Sequence, residues 1–260
     1  MMDIRSCTVI GAGNVAWHIS QALAEHINIR QVFSRDHARA SLLADKIGAQ
    51  PVSDLSDIAP GADFYLISVP DDHIPDVIAA TDNIKSGIWA HTSGSMPIDV
   101  FDGKKDKYGV FYPLQTFSKT KQVDISQVPM LIEGSDDVVA ATLLDLAENI
   151  SANVRFAGSP ERKQLHVAAV FACNFVNYMW IQADSLLRKA GLDFNMLKPL
   201  LTETLNKLDD LSPIQAQTGP ARRGDFLTAE KHLSMLSPEQ AEIYRLLTDK
   251  IYNLYHNNNG

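Results

Sequence analysis

"TVIGAGNVAWHIS", residues 8–20, is the stretch whose reading decides the fold. An apolar run ends at Gly11, and Gly11, Gly13 and Ala16 then form the pattern G-x-G-x-x-A at the head of a segment with helical spacing. Each small residue has a separate task in a strand–turn–helix that holds a pyrophosphate. The first permits the tight turn, the second lets the backbone approach the ligand, and the third lets the helix pack closely on the strand. The helix N-terminus adds unpaired amides that favour an anion. Gly11, Gly13, Asn14, Val15 and Ala16 are therefore the expected cofactor contacts. Two readings compete: a glycine turn in an unrelated α/β protein, and an S-adenosylmethionine site. Against the second, no acidic residue precedes Gly11 within the strand.

Outward from this turn, residues 28–34 (NIRQVFS) read as the next strand, and the chain continues Ser34, Arg35, Asp36. An NAD-specific site offers an acidic side chain to the adenosine ribose at this place. Here a hydroxyl and a guanidinium stand instead, a pair suited to a 2′-phosphate, which arginine binds bidentately. The cofactor expected is NADP(H), held by Ser34 and Arg35. Asp36 is read as the N-cap of the following helix. Farther on, "LISVPDDHI" ends another strand, and the backbone from Ser68 through Val69 to Pro70 is expected to line the dinucleotide, because ligands in such sheets sit outside the carboxyl ends of the strands. Asp71 and Asp72 read as a helix N-terminus and His73 as a solvent-facing helical residue.

Composition excludes several classes. The chain has 260 residues, 45% hydrophobic and 21% charged, ordinary for a globular protein. A net charge of −8 repels phosphate backbones, so nucleic acid is not an expected partner. Cys7 and Cys173 lie far apart in apolar stretches, and no cysteine–histidine spacing suggests zinc. No metal site is expected. No window approaches the ~20 apolar residues of a membrane span, and no signal-like core precedes the glycine turn, so a cytoplasmic protein is expected.

Residues 6–10, 28–34, 62–69, 87–91, 108–112 and 128–133 read as strands, with helical spacing over Asn14–His26 and Asp36–Ile47. This alternation predicts a doubly wound, mainly parallel sheet. After Gly158 the texture changes. Ser159 and Pro160 read as a helix start, with Ser159 as N-cap, and the pattern then runs to Gly191 without a breaker. Its middle, VAAVFACNFVNYMWI, is apolar nearly all round and should be buried by later helices or a second subunit. Asp193–Leu208, Asp225–Leu233 and Pro238–Tyr255 also read as helices, and Ser237 and Gln240 as a capping box. The closing HNNNG reads as a frayed end. The division expected is a dinucleotide-binding domain over 1–157 and an all-helical domain over 158–260 that binds substrate and joins two copies into a homodimer.

Taken together, GAGNVA, SVPDDHI, AHTSGS, FYPLQTF and the long helix resemble the Rossmann enzymes with a helical C-terminal domain. That group includes pyrroline-5-carboxylate reductase, the 3-hydroxyisobutyrate and 6-phosphogluconate dehydrogenases, prephenate dehydrogenase and the deazaflavin-dependent NADP reductases. HTSGS, PLQTF, HVAAVFACNF and TGPARRGD are similar to a branch of NADP oxidoreductases whose C-terminal half is a domain of unknown function. The resemblance covers nearly the whole chain and implies fold and cofactor, not substrate. Two departures stand out. The hydroxyacid dehydrogenases carry a catalytic lysine three residues before an asparagine of the junction helix, whereas Phe171 stands three before Asn174 here. Prephenate dehydrogenases end the sixth strand in His-Pro, and this chain has Tyr112 and Pro113.

Hydride transfer to a carbonyl or imine carbon needs a proton donor for the heteroatom. His91, at the end of the strand GIWAH, is the first candidate, with Thr92, Ser93 and Ser95 to hold substrate and Gly94 to let the backbone approach. The alternative is a polar turn of ordinary composition. His166 and Asn174 share one broad helix face, since steps of four drift by only about 40°, and form the second candidate pair. Gln115 is expected in the pocket wall. Tyr112 reads either as a proton donor or as aromatic core, and Arg222 and Arg223 as an anion clamp or solvated surface. The function expected is an NADP(H)-dependent oxidoreductase acting on a small polar carbonyl, imine or hydroxyacid-type metabolite bound between the domains. A dinucleotide-binding or regulatory protein without turnover is the alternative.

Overall fold

The structure is a computed structural model and describes residues 2–257. Eight strands form one sheet, β1 (Ser6–Ile10), β2 (Asn28–Phe33), β3 (Gln50–Val52), β4 (Phe64–Ile67), β5 (Ile88–His91), β6 (Tyr108–Pro113), β7 (Met130–Gly134) and β8 (Val154–Phe156). Their spatial order is β3-β2-β1-β4-β5-β6-β7-β8. Every pairing is parallel except the β6–β7 hairpin pairing, in which Tyr112 faces Leu131. The strand order reverses at β1, so the crevice between the ends of β1 and β4 is the topological switch point. This is the doubly wound, mainly parallel sheet that the sequence predicts. The three-residue strands β3 and β8 are too short to carry a periodic signal and were not among those expected.

The central strands are buried on both faces, so they read as continuous apolar runs rather than alternating ones. Phe64 and Leu66 of β4 enter one core cluster with Val9, Ile19, Leu23 and Phe111. Tyr65 and Ile67 enter a second with Trp89 and Phe101, and Val110, Tyr112, Leu131 and Ala157 form a third. Helix α1 (Asn14–Ala24) packs Ala16, Ile19 and Leu23 inward. Helix α2 (His37–Ile47) starts at an Asp36 cap that accepts from the Ala38 and Arg39 amides, and stops at Gly48 in the left-handed region. Helices α3 (Ile74–Ala80) and α4 (Asp137–Glu148) complete the layers.

The chain forms two compact units, the first ending at Asn174 and the second beginning at Phe175. Helix α5 (Ser159–Ala169) belongs to the first, and its continuation is a π-helical turn over Val170–Phe175 followed by α6 (Val176–Lys189). The long helix thus runs on to Lys189 but is underwound at its middle. Gly158, not Ser159, takes the N-cap position of α5, because the Ser159 hydroxyl is committed elsewhere.

The second unit contains α6, α7 (Lys198–Asp210), α8 (Pro213–Ala216), α9 (Pro220–Arg223), α10 (Phe226–Leu233) and α11 (Pro238–His256). Asp225 caps α10, and the Ser237–Gln240 capping box opens α11 as expected. Its buried side chains, among the described residues, are Ala229, Gln240 and Ala241. Leu200, Leu205, Leu227 and Met235 are all exposed. His256 closes α11, and the rest of the HNNNG end beyond Asn257 lies outside the described residues. No helix among the described residues is long and apolar enough to cross a membrane.

Candidate functional site

The end of β1 is built around Gly11. Its φ of +127° lies where side-chain-bearing residues are rare, and a Cβ there would overlap the Ser68 carbonyl, 2.6 Å from its carbon. Gly11 donates its N–H to Phe33 O (2.8 Å), and Ser68 donates its own to Ile10 O (2.7 Å), so three strand ends are locked side by side. Gly13, by contrast, has open space where a Cβ would stand. It occupies the N-cap of α1 without a side-chain cap, and no acidic residue lies in the first turn, so the amides face outward without a competing carboxylate. That is a pyrophosphate cradle.

A cleft of about 340 Å³ continues from this turn, lined by Gly11, Gly13, Ser34, Arg35, Val69 and Pro70 among others. Ser68 lines it with them, and so do Arg39 and His73, for which the sequence carries no such expectation. Arg39 is held by an ion pair with Asp36 (3.1 Å), and Arg35 Nη2 lies 3.4 Å from His73 Nε2. Two guanidiniums and the Ser34 hydroxyl therefore converge where a 2′-phosphate belongs. The signal for Arg39 was legible: a basic residue in the first turn of the helix that follows Ser34 and Arg35. A larger open cleft of about 730 Å³, between the far end of α1 and residues 122–126, shares none of these features.

The AHTSGS loop follows β5. His91 is fully buried, stacked on Phe101 (centroids 5.7 Å apart, 11° between planes), and its Nδ1 accepts the Ser93 N–H (3.2 Å). Burial, helped by the nearby Arg162 cation, pulls its pKa down to about 4, and the Pro97 backbone, Asp71 and Glu133 offset only part of this. The Ser93 hydroxyl accepts from the Ser95 and Met96 amides, fixing the turn. Thr92 Oγ1 donates to Ser68 Oγ (3.3 Å), tying the loop to the strand end that lines the dinucleotide cleft. Ser95 donates its hydroxyl proton to the Asp71 carboxylate.

Beyond the loop, His166 of α5 meets Tyr112 of β6, with Tyr112 Oη 3.0 Å from His166 Nδ1. Arg162, one turn earlier on α5, is 1% exposed and paired with Glu133 of β7; it also donates to Met96 O (2.6 Å) and Ser159 Oγ (3.2 Å). Ser159 in turn donates to Glu133 through its amide (2.9 Å) and hydroxyl (2.7 Å), and accepts from the Ile98 amide. This knot was missed. Arg162 and Glu133 carry no local pattern; the pairing of β7 with β8 sets the start of α5 beside Glu133.

Three expected residues lie apart from this cluster. Asn14 donates its amide to Phe117 O (3.0 Å), so it holds the loop after β6. Gln115 is exposed, its side-chain oxygen accepting from the Thr116 amide (2.7 Å). Asn174 is exposed on the π-helical turn. No group of three or more potential metal ligands occurs among the described residues.

A glycine cradle, a basic ribose-end cleft and a polar loop beside the cofactor strand define an NADP(H)-dependent oxidoreductase. Residues 6–88 match the family model "NADP oxidoreductase coenzyme F420-dependent", and residues 128–251 match a domain of unknown function, DUF2520. A crystal structure from Bacteroides fragilis, described provisionally as an NADP oxidoreductase, is 39% identical, with a TM-score of 0.93 over 96% of this chain and 98% of that one. The chain belongs to this family of NADP oxidoreductases with a DUF2520 C-terminal domain. Two other solved structures share the fold. A reductive aminase from Aspergillus terreus, solved with NADPH and ethyl levulinate, has 15% identity and a TM-score of 0.72 over 99% of this chain and 96% of that one. An imine reductase from Myxococcus stipitatus, solved with NADP+, has 15% identity and a TM-score of 0.64 over 97% and 93%. No curated protein matches the chain.

Proposed function

We propose that this enzyme transfers a hydride between NADP(H) and a small polar metabolite, a carbonyl, imine or hydroxyacid, placed over the ends of β5 and β6. The bound cofactor supplies the hydride. Gly11, Gly13, Val15 and Ala16 seat its pyrophosphate, Ser34 and Arg35 its 2′-phosphate, and Val69 and Pro70 flank it. The single observation behind this reading is the Thr92–Ser68 hydrogen bond, which sets the polar loop directly against the cofactor cleft.

Thr92 and Ser95 then offer hydroxyls to the substrate, while Ser93 shapes the turn and Gln115 stands at the outer wall. His91, buried and neutral, acts by holding the loop, and His166 keeps a proton within reach of the substrate end of β6. The reductive aminase and imine reductase lend support to a C=N or C=O substrate.

The enzyme works as a homodimer joined through its C-terminal helices; the exposure of Leu200, Leu205, Leu227 and Met235 supports this reading. A panel of oxoacids, aldehydes, cyclic imines and deazaflavins tests the reading: at least one class should oxidise NADPH catalytically. Tight NADPH binding with no turnover on any class would overturn it.

A further inference from the structure

Tyr112 and His166 are 54 residues apart in sequence and in hydrogen-bond contact in space. Tyr112 is 8% exposed at the end of β6, and His166 is half-buried in the last turn of α5. Their rings meet edge-on, at 72° with centroids 6.0 Å apart. Gly94 closes over the contact: a Cβ there would lie 2.6 Å from His166 Nδ1 and 2.8 Å from Tyr112 Cζ. The glycine of HTSGS thus has a steric reason to be glycine, and the pair lies directly under the loop expected to hold substrate.

We propose that Tyr112 is the catalytic acid of the reduction and that His166 is the positioning residue that reloads it, the two forming one proton-donating unit. This rests on the oxidoreductase reading above. In the reducing direction the hydride's electron pair forms the new C–H bond, and the C=O or C=N π pair moves onto the heteroatom. The Tyr112 O–H bond breaks and its proton forms the new O–H or N–H bond. The phenolate left behind takes the Nδ1 proton of protonated His166, which recovers a proton from water. One hydride and one solvent proton are consumed per turnover, and oxidation reverses each step.

The electrostatics suit this role. The charged groups facing Tyr112 are Arg162 on α5 and Asp71 after β4, with Glu133 of β7 held on Arg162. Burial pushes the Tyr112 phenol above its ordinary range, Arg162 opposes this and Asp71 adds to it, so the hydroxyl keeps its proton at neutral pH. The neutral His91 under the loop does not compete for it.

The test follows His166 by imidazole NMR across a pH titration of the full-length protein, and tyrosine ionisation by ultraviolet absorbance. Tyr112→Phe should move the His166 midpoint and remove a late-ionising phenol; an unmoved midpoint overturns the unit. In parallel, NADPH oxidation is measured with pyrroline and pyruvate as probes. Tyr112→Phe and His166→Gln should each lower kcat about 100-fold or more with little change in KM. The double variant should be no worse than the single ones, and His166→Gln should flatten the loss of rate at high pH. Unchanged kcat in either single variant also overturns the proposal. If the wild-type protein oxidises NADPH with neither probe, the oxidoreductase reading loses support while the titration still decides the pairing.

Discussion

Gly11 and Ser68 occupy adjoining strand ends so closely that a single methyl group on Gly11 would overlap the Ser68 carbonyl. Gly13, two residues on, has open space at the same position. The two glycines therefore fail differently. Gly11→Ala should destabilise the fold by roughly 2 kcal/mol or more through strain at positive φ and the backbone overlap. Gly13→Ala should leave the thermal midpoint almost unchanged yet abolish tight NADPH binding, because its Cβ would stand where the pyrophosphate approaches. Thermal unfolding and calorimetric titration on both variants check this.

Arg35 and Arg39 should set the choice of cofactor. Removing either guanidinium takes away a charge-assisted contact to the 2′-phosphate, about 1.5–3 kcal/mol, or roughly 10- to 100-fold in NADPH affinity. NADH affinity should change little. Competition titrations compare the two cofactors, and an equal loss for both would contradict the assignment.

The Arg162–Glu133 pair should matter to stability more than its single ion pair suggests, since Arg162 also fastens the Met96 carbonyl and Ser159. Arg162→Met leaves Glu133 without its counter-charge and should cost about 3–5 kcal/mol. Adding Glu133→Gln should recover part of that loss. Denaturant unfolding of the single and double variants measures the difference.

His91 gives the molecule an acid-sensitive core. Burial holds its pKa at about 4 in the folded chain, against about 6.5 for a free imidazole, so the unfolded chain binds more protons between these limits. Stability should be complete above about pH 6.5 and decline as pH falls toward 4, by at most about 3 kcal/mol from this group. His91→Gln should remove that share of the pH dependence, which stability measurements at neutral and mildly acid pH can read.

What could be read from the sequence follows how local each signal is. The G-x-G-x-x-A turn, the Asp36 cap and the Ser237–Gln240 box are each complete within a few residues, and all three stand where expected. Ser159 was misplaced by one position because its hydroxyl answers to Glu133, a partner 26 residues away. Tyr112 and His166 were each read singly. Their pairing depends on where β6 lies beside α5, and no spacing along the chain encodes that. The π-helical turn over Val170–Phe175 likewise leaves no mark on a pattern that stays apolar through it.

The second unit makes its own prediction. With so few buried side chains and with Leu200, Leu205, Leu227 and Met235 exposed, the protein should sediment as a dimer at micromolar concentration. Charged substitutions at Leu227 and Met235 should shift it toward monomer, and a wild-type monomer would contradict the proposed association.

The central claim is hydride transfer at the ends of β5 and β6, and isotope transfer tests it most directly. NADPH carrying deuterium at both positions of the nicotinamide C4 is incubated with the full-length protein and carbonyl or imine probes, and the products are examined by mass spectrometry. The account predicts one deuterium on the former carbonyl or imine carbon, at a rate cut by Tyr112→Phe. Products without deuterium, or cofactor bound tightly while every probe is returned unchanged, would contradict it.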